Sequence, residues 1–526
     1  MRIRWAWLCL LVTPVGCGTR SALLWDTGES APAESGGAPS EPSAGGLAGP
    51  AMGGSVTGGS AAGGSGGDGS VPAGGSFGTG GSMSGSGGAP SCVEEGTCPV
   101  EVRAPNADPG DQFGFSVALS GDTLAVGASW EAGRGSLDPD DNSVSESGAV
   151  YVFVRRGDEW VEQAYLKASN PDPGDWFGRR IALDGDTLVV GAYGEDSGSE
   201  DPSDNSVTDA GAAYVFVRRG EQWVQEAYLK SRDPSPTAWF GRRVAVSGNR
   251  IAVGAYGDDR AGQNTGSVVV FERTDGEWKE AAELLSTPLN SGAQFGSSVA
   301  FVGDSLFIAA IGESSGNGDP FDTSARAAGA VYEFRRTETG YTQTAYIKAS
   351  DPDAGDWFGV SLAADERFLV VGAYGEDSSP RGPRPGPGPL VRGSGAAYVF
   401  ERQGDAFIEI QKLKARDADP GDNFGSSVTL AEGRIAVGAF GDDSAHPQRP
   451  RDNSAPNSGT TYLFEQRRDG RFVEVKRLKA PEASAGDRFG WAIASTPTTL
   501  VVGAYGTGSS AEDPNSGLGT VHIFPW

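Results

Sequence analysis

Two short acidic runs hold the residues best suited to chemistry in this sequence. Asp138-Pro139-Asp140-Asp141-Asn142-Ser143 and Asp201-Pro202-Ser203-Asp204-Asn205-Ser206 each gather several carboxylates and an amide within a few residues. That is the oxygen donor set a hard cation such as calcium takes. Asp319-Pro320-Phe321-Asp322 and Asp452-Asn453-Ser454 are weaker echoes. The alternative is architectural: Asp and Asn side chains bond the backbone two residues on, and so cap a long loop as Asx-turns. Catalysis has less to draw on. The chain has two histidines, His446 in a Pro-rich loop and His522 near its end. Nothing resembles a nucleophile elbow, a zinc-binding His pair or a phosphate loop. Acids are plentiful enough for a glycoside-cleaving pair, but they recur at regular intervals, whereas a catalytic pair breaks symmetry. The catalytic residue set is therefore read as none.

The intervals come from an internal repeat. Phe-Gly followed by an apolar run occurs at Phe113-Gly114, Phe177-Gly178, Phe240-Gly241, Phe295-Gly296, Phe358-Gly359, Phe424-Gly425 and Phe489-Gly490, at spacings between 55 and 66 residues. Each is followed by a second run ending in Gly-Ala or a close variant, such as Leu188-Val189-Val190-Gly191-Ala192. A third run lies beyond a longer polar loop (Gly211-Ala212-Ala213-Tyr214-Val215-Phe216), and a fourth runs from an aromatic residue to a lysine (Trp223 to Lys230). These runs are short, rich in β-branched and aromatic residues, and bounded by Gly, Asp or Pro, so they read as strands. Four antiparallel strands repeated seven times predict an all-β fold, a seven-bladed β-propeller over residues 99–526.

The units resemble the FG-GAP repeats that form the N-terminal propeller of integrin α chains. That resemblance implies a ligand-binding head and, in many repeats, a calcium loop of the form Asp-x-Asp-x-Asp-Gly between the first two strands. The equivalent turns here, Ser120-Gly121-Asp122, Ser247-Gly248-Asn249 and Ala431-Glu432-Gly433, carry at most two acids. The family's usual calcium site does not carry over, and calcium remains an expectation only for the two acidic runs. Arg156-Gly157-Asp158 spells a tripeptide that many integrins recognise, but Arg219-Gly220-Glu221 occupies the same turn in the next unit, so it reads as hairpin chemistry. The seventh unit stops at its third strand. Val100-Glu101-Val102-Arg103-Ala104 matches the outer strand of the other units, so the N-terminal strand is expected to complete the last blade and close the ring.

Strand alternation places the loops after strands two and four on one face. Glu195-Asp196, Asp258-Asp259, Glu376-Asp377 and Asp442-Asp443 make that face acidic, and Arg155-Arg156, Arg218-Arg219, Arg335-Arg336 and Arg467-Arg468 lie on the other. A net charge of −27 repels a phosphate backbone, which disfavours nucleic-acid partners. Residues 1–16 read as a signal peptide. Pro14-Val15-Gly16-Cys17 resembles a bacterial lipobox with Pro where Leu is usual, which implies lipidation at Cys17 and an outer-membrane or cell-surface lipoprotein; plain secretion is the alternative. Residues 17–91 form a Gly/Ser-rich tether expected to be disordered. Cys92 and Cys98 bracket a small loop, 92–98, expected to close as a disulfide. The expected function is a lipid-anchored binding or adhesion module that recognises a protein or glycan through the acidic face. The alternative is a carbohydrate-active hydrolase with a site in the central channel.

Overall fold

The computed structural model describes residues 99–526 apart from 136–137, 289, 379–390, 450 and 510–515. Cys17, Cys92, Cys98 and the tether lie outside the described residues. The described chain forms 28 strands in seven four-stranded antiparallel sheets and contains no helix. The second blade shows the plan: Arg180–Asp184, Thr187–Ala192, Ala212–Arg219 and Gln222–Leu229, paired in chain order. First strands of neighbouring blades touch all round the ring, whereas few contacts join the outer strands, so each first strand lines the axis. The last blade consists of Ala492–Ser495, Thr499–Ala504 and Thr520–Pro525, and its outer strand is Val100–Val102. Val100 pairs with Ile523 and Val102 with Val521. The closure expected from the sequence is present.

Burial explains each strand's composition. Second strands such as Thr-Leu-Val-Val-Gly-Ala are buried on both sides because blades stack face to face, so they read as unbroken apolar runs. Outer strands have one wet face and alternate, as in Glu277–Leu284. The apolar residues gather into seven clusters, and each draws on two adjacent blades. One cluster joins Val102, Val521 and Ile523 of the last blade to Phe113 and Tyr151 of the first. The core is therefore a ring of interfaces, and no blade owns its own.

The Phe-Gly motif makes those interfaces. All seven phenylalanines are fully buried, and each meets a second ring edge-on in its own blade; Phe177 and Tyr214, for example, lie 5.3 Å apart at 74°. The glycine is needed for both space and conformation. Gly178 has φ +89°, and a Cβ there would collide with the Ala149 carbonyl of the preceding blade.

Candidate functional site

The long loops of one face are held by a polar network inside six of the seven blades. Glu195, Asp258, Glu376 and Asp442, placed by the sequence on an exposed acidic rim, are only 1–4% exposed. The rim reading is corrected for these residues: each carboxylate turns inward to a cation and to its own loop. Lys230 meets Glu195 at 2.8 Å, Lys348 meets Glu313 at 2.7 Å and Lys479 meets Asp442 at 3.1 Å. Lys414 and Lys412 both reach Glu376, and in the third blade Arg260 takes the lysine's place on Asp258. The same carboxylates accept backbone N–H groups two residues on, as from Ser197 and Ser315. Burial alone would raise the Glu376 carboxyl, but the two lysines overcome it and hold the group at about 2.

A second buried acid precedes each of five Phe-Gly pairs. Asp111, Asp175, Asp356, Asp422 and Asp487 each accept the backbone N–H three residues earlier, which closes the turn. Desolvation raises Asp175 and Asp422 to about 8 and Asp356 to about 7, with nearby carboxylates adding to the shift.

The two acidic runs also serve their own loops. Asp138 accepts from the Asp140 amide, and Asp141 accepts from the Ser143 and Arg134 amides. Asp201 accepts from Ser203 and Asp204 from Ser206, and these hydrogen bonds hold both carboxyls below the usual range. Asn142 donates to Asp108 at 2.6 Å and Asn205 donates to Asp172 at 2.8 Å, tying this loop to the turn before Phe-Gly. This is the Asx-turn arrangement. Among the described residues no three His, Cys, Asp or Glu side chains converge as a metal site. Arg156-Gly157-Asp158 forms the hairpin turn between Ala149–Arg156 and Glu159–Leu166.

Sequence reasoning missed the channel mouth. The residue before each Phe-Gly adopts the left-handed conformation, including Trp176, Trp239 and Trp357, with φ between 52° and 59° across all seven blades. A backbone bond fixes it, as from Trp176 N–H to the Glu146 carbonyl. On one side of the ring these positions and their neighbours form a belt of aromatics and arginines. Phe115, Trp491 and Tyr505 pack within 5.3 Å of one another, with Phe440 on Trp491 at 4.8 Å. Arg179 lies over Phe115 at 4.6 Å, and Arg242 sits between Tyr193 at 4.7 Å and Tyr256 at 4.8 Å. Across the ring the residues after Phe-Gly are Ser297, Val360 and Ser426, and the aromatic pairing continues there with Trp357 on Tyr374 at 5.0 Å. The stacked arginines, not the aromatics, are therefore one-sided. The belt's signal lay in the positions flanking the motif, which vary from blade to blade while the motif does not.

A family model described as FG-GAP repeat matches residues 100–153, 160–216, 223–271, 341–400, 407–464 and 472–524, more than half of the chain. Most matches open on the outer strand of one blade and continue into the next, so the sequence unit is offset from the blade by one strand. The fourth blade's first three strands fall between matches, yet they form the same sheet. There Ala309 replaces the glycine of Gly-Ala, and a Cβ at Gly359 would meet the Ala309 Cβ at 2.7 Å. A crystal structure of a protein from Lactobacillus plantarum is 14% identical, covers 73% of this chain and 89% of its own, and aligns with a TM-score of 0.42. Curated proteins give no match.

Proposed function

The chain belongs to the FG-GAP repeat family, and on that premise we propose that it is an exported, lipid-anchored binding module. Its propeller recognises a protein or glycan partner through the long-loop face. The observation that carries this reading is the part-exposed set of Trp491, Tyr256 and Arg242, seated on the buried Phe115, Tyr193 and Arg179, with its stacked arginines on one side of the ring only. Aromatics and arginine are the residue types that dominate recognition hot spots. The aromatics recur on the opposite side at Trp357 and Tyr374, but the stacked arginines do not, so the seven-fold scaffold does not require the arginines. The carboxylates placed within the blades are spent on lysines and loop amides, which supports binding over hydrolysis.

The test has two arms. A glycan array and a panel of candidate surface proteins are probed with residues 99–526, and hits are re-measured with Arg242→Ala and Trp491→Ala. Each substitution is expected to weaken binding about tenfold or more, whereas Asp140→Asn in the capped loop leaves it unchanged. Binding indifferent to both mouth substitutions would overturn the reading. For the anchor, intact mass spectrometry is expected to find acyl chains on an N-terminal Cys17, and an unmodified N-terminus elsewhere would overturn that part.

A further inference from the structure

The seventh blade abandons the polar filling of the other six. In five blades the third strand supplies a buried tyrosine, namely Tyr151, Tyr214, Tyr332, Tyr398 and Tyr462. In the third blade Val269 stands there, and Arg260 packs against Asp258 instead. In the seventh blade the register puts His522 at this position: it pairs with Val502 as Tyr214 pairs with Val190, and lies 5.5 Å from Phe489 as Tyr214 lies 5.3 Å from Phe177. Thr507 takes the place of the buried acid and Arg103 that of the lysine. An imidazole is shorter than a phenol, and threonine is shorter than glutamate. Beside these shorter side chains lies a cavity of about 680 Å³, walled in part by Arg103, Thr507 and His522, within the range of small-molecule sites.

Its wall leaves an unanswered hydrogen-bonding group. His522 is 3% exposed; Nε2 lies 3.2 Å from the Thr520 hydroxyl, which lies 3.0 Å from that of Thr507, and Nδ1 has no partner among the described residues. A buried nitrogen without a partner is costly unless a ligand answers it. Burial pushes the imidazole below its ordinary value, so the ring is neutral. With the ring proton on Nε2 toward Thr520, Nδ1 is an acceptor. Asp487 adds a buried carboxyl, one oxygen of which is taken by the Ser484 amide at 2.7 Å. Arg103, the one cation among the described residues of the wall, is held by Glu101, and Glu482 contributes a third carboxyl. Acceptors and negative charge therefore outnumber donors, and hydroxyls line the remainder.

We propose that the seventh-blade cavity binds a small ligand bearing a protonated primary amine among hydroxyl groups, of the size of a hexosamine. An ammonium carries three donors and no acceptor, which suits His522 Nδ1 and the Asp487 carboxylate together, while Thr507 and Thr520 can bond ligand hydroxyls. The site is independent of the channel mouth.

Calorimetric titration of the full chain with glucosamine, glucose and glucuronate tests this. Glucosamine is expected to bind at least about tenfold tighter than glucose, with glucuronate weakest. His522→Tyr installs the side chain of five sister blades, and is expected to abolish glucosamine binding without lowering the melting temperature. Asp487→Asn is expected to erase the preference for glucosamine over glucose, and it carries the test should the tyrosine variant fail to fold. Equal affinity for the two sugars, binding of neither, or a preference that survives Asp487→Asn would overturn the proposal. Arg242→Ala is expected to leave the titration unchanged, which separates this site from the mouth.

Discussion

The second and seventh blades share a strand plan but use their interiors differently. In the second blade Tyr214, Glu195 and Lys230 fill the space under the loops, and every one of those polar groups holds backbone or another side chain. In the seventh blade His522, Thr507 and Arg103 instead wall part of an open cavity. The second is one continuous stretch of chain, whereas the seventh is sewn from both ends of the propeller, three strands from one and Val100–Val102 from the other. The contrast teaches that the ring needs the apolar interfaces at every blade but not the polar filling. Once six blades hold their loops with buried polar groups, the seventh is free to keep a cavity.

The strongest way to break that comparison is to open the seventh blade. Deleting residues 99–104 removes its outer strand, exposes the ladder edge of Thr520–Pro525, and strips Val102 and Ala104 from the cluster shared with the first blade. A large fall in melting temperature is expected, with loss of cooperativity. An unchanged melting curve would mean that the ring does not depend on its closure.

Next in size is the buried pair. Glu195→Ala leaves Lys230 charged and 6% exposed with no counter-ion, an expected loss of about 3–5 kcal/mol. Thr507→Ala, at the same position in the seventh blade, is expected to cost about 1 kcal/mol, since it removes only neutral hydroxyl contacts, to the Ala504 carbonyl and the Thr520 hydroxyl. Chemical denaturation reads both, and similar costs would erase the distinction between a filled and an open blade.

Much of this was legible in the sequence, and the rest has a physical reason for its silence. Phe-Gly recurs seven times and Gly-Ala six, because both glycines sit where neighbouring backbones touch, and only the fourth blade, with Ala309, departs from that constraint. Glu195 reads as a surface acid because its partner, Lys230, lies 35 residues on and meets it only after two more strands have folded back. His522 was visible as a histidine on the last strand. Its meaning came from standing in the register of five tyrosines, a comparison of repeats with one another that was there to be made.

The two blades also titrate differently. Asp175 in the second is raised by burial to about 8, whereas Asp487 before the seventh reaches about 6, with burial raising it and the Ser484 amide, then Lys479, pulling it back. An acid raised in the folded state is deprotonated first in the unfolded chain, so stability falls as pH rises between the unfolded value near 4 and the folded one. Asp356 and Asp422 act in the same direction as Asp175. Glu376, held at about 2, contributes stability that is lost only below about pH 4.5. The melting temperature is therefore expected to be higher at pH 5 than at pH 8. Asp175→Asn should flatten the fall between pH 6 and 8, while Asp487→Asn should leave that interval as it was. A slope of the opposite sign, or two variants with one profile, would contradict the burial argument.

The smallest effect is expected in the acidic runs of the first two blades. Asp138, Asp140 and Asp141 lie on one exposed loop, and two of the three already accept backbone N–H groups. Asparagine caps such loops nearly as well as aspartate, so the triple substitution to Asn is expected to change stability by less than about 0.5 kcal/mol. Calcium supplies the contrast. An ion that binds only the folded chain stabilises it by RT ln(1 + [L]/Kd), about 2.7 kcal/mol at a hundred times Kd. With these oxygens committed to the backbone, millimolar calcium and a chelator are expected to give the same melting temperature. A calcium-dependent rise that the triple variant abolishes would show that the carboxylates leave their caps to take an ion, and these loops would then be a binding feature of the long-loop face.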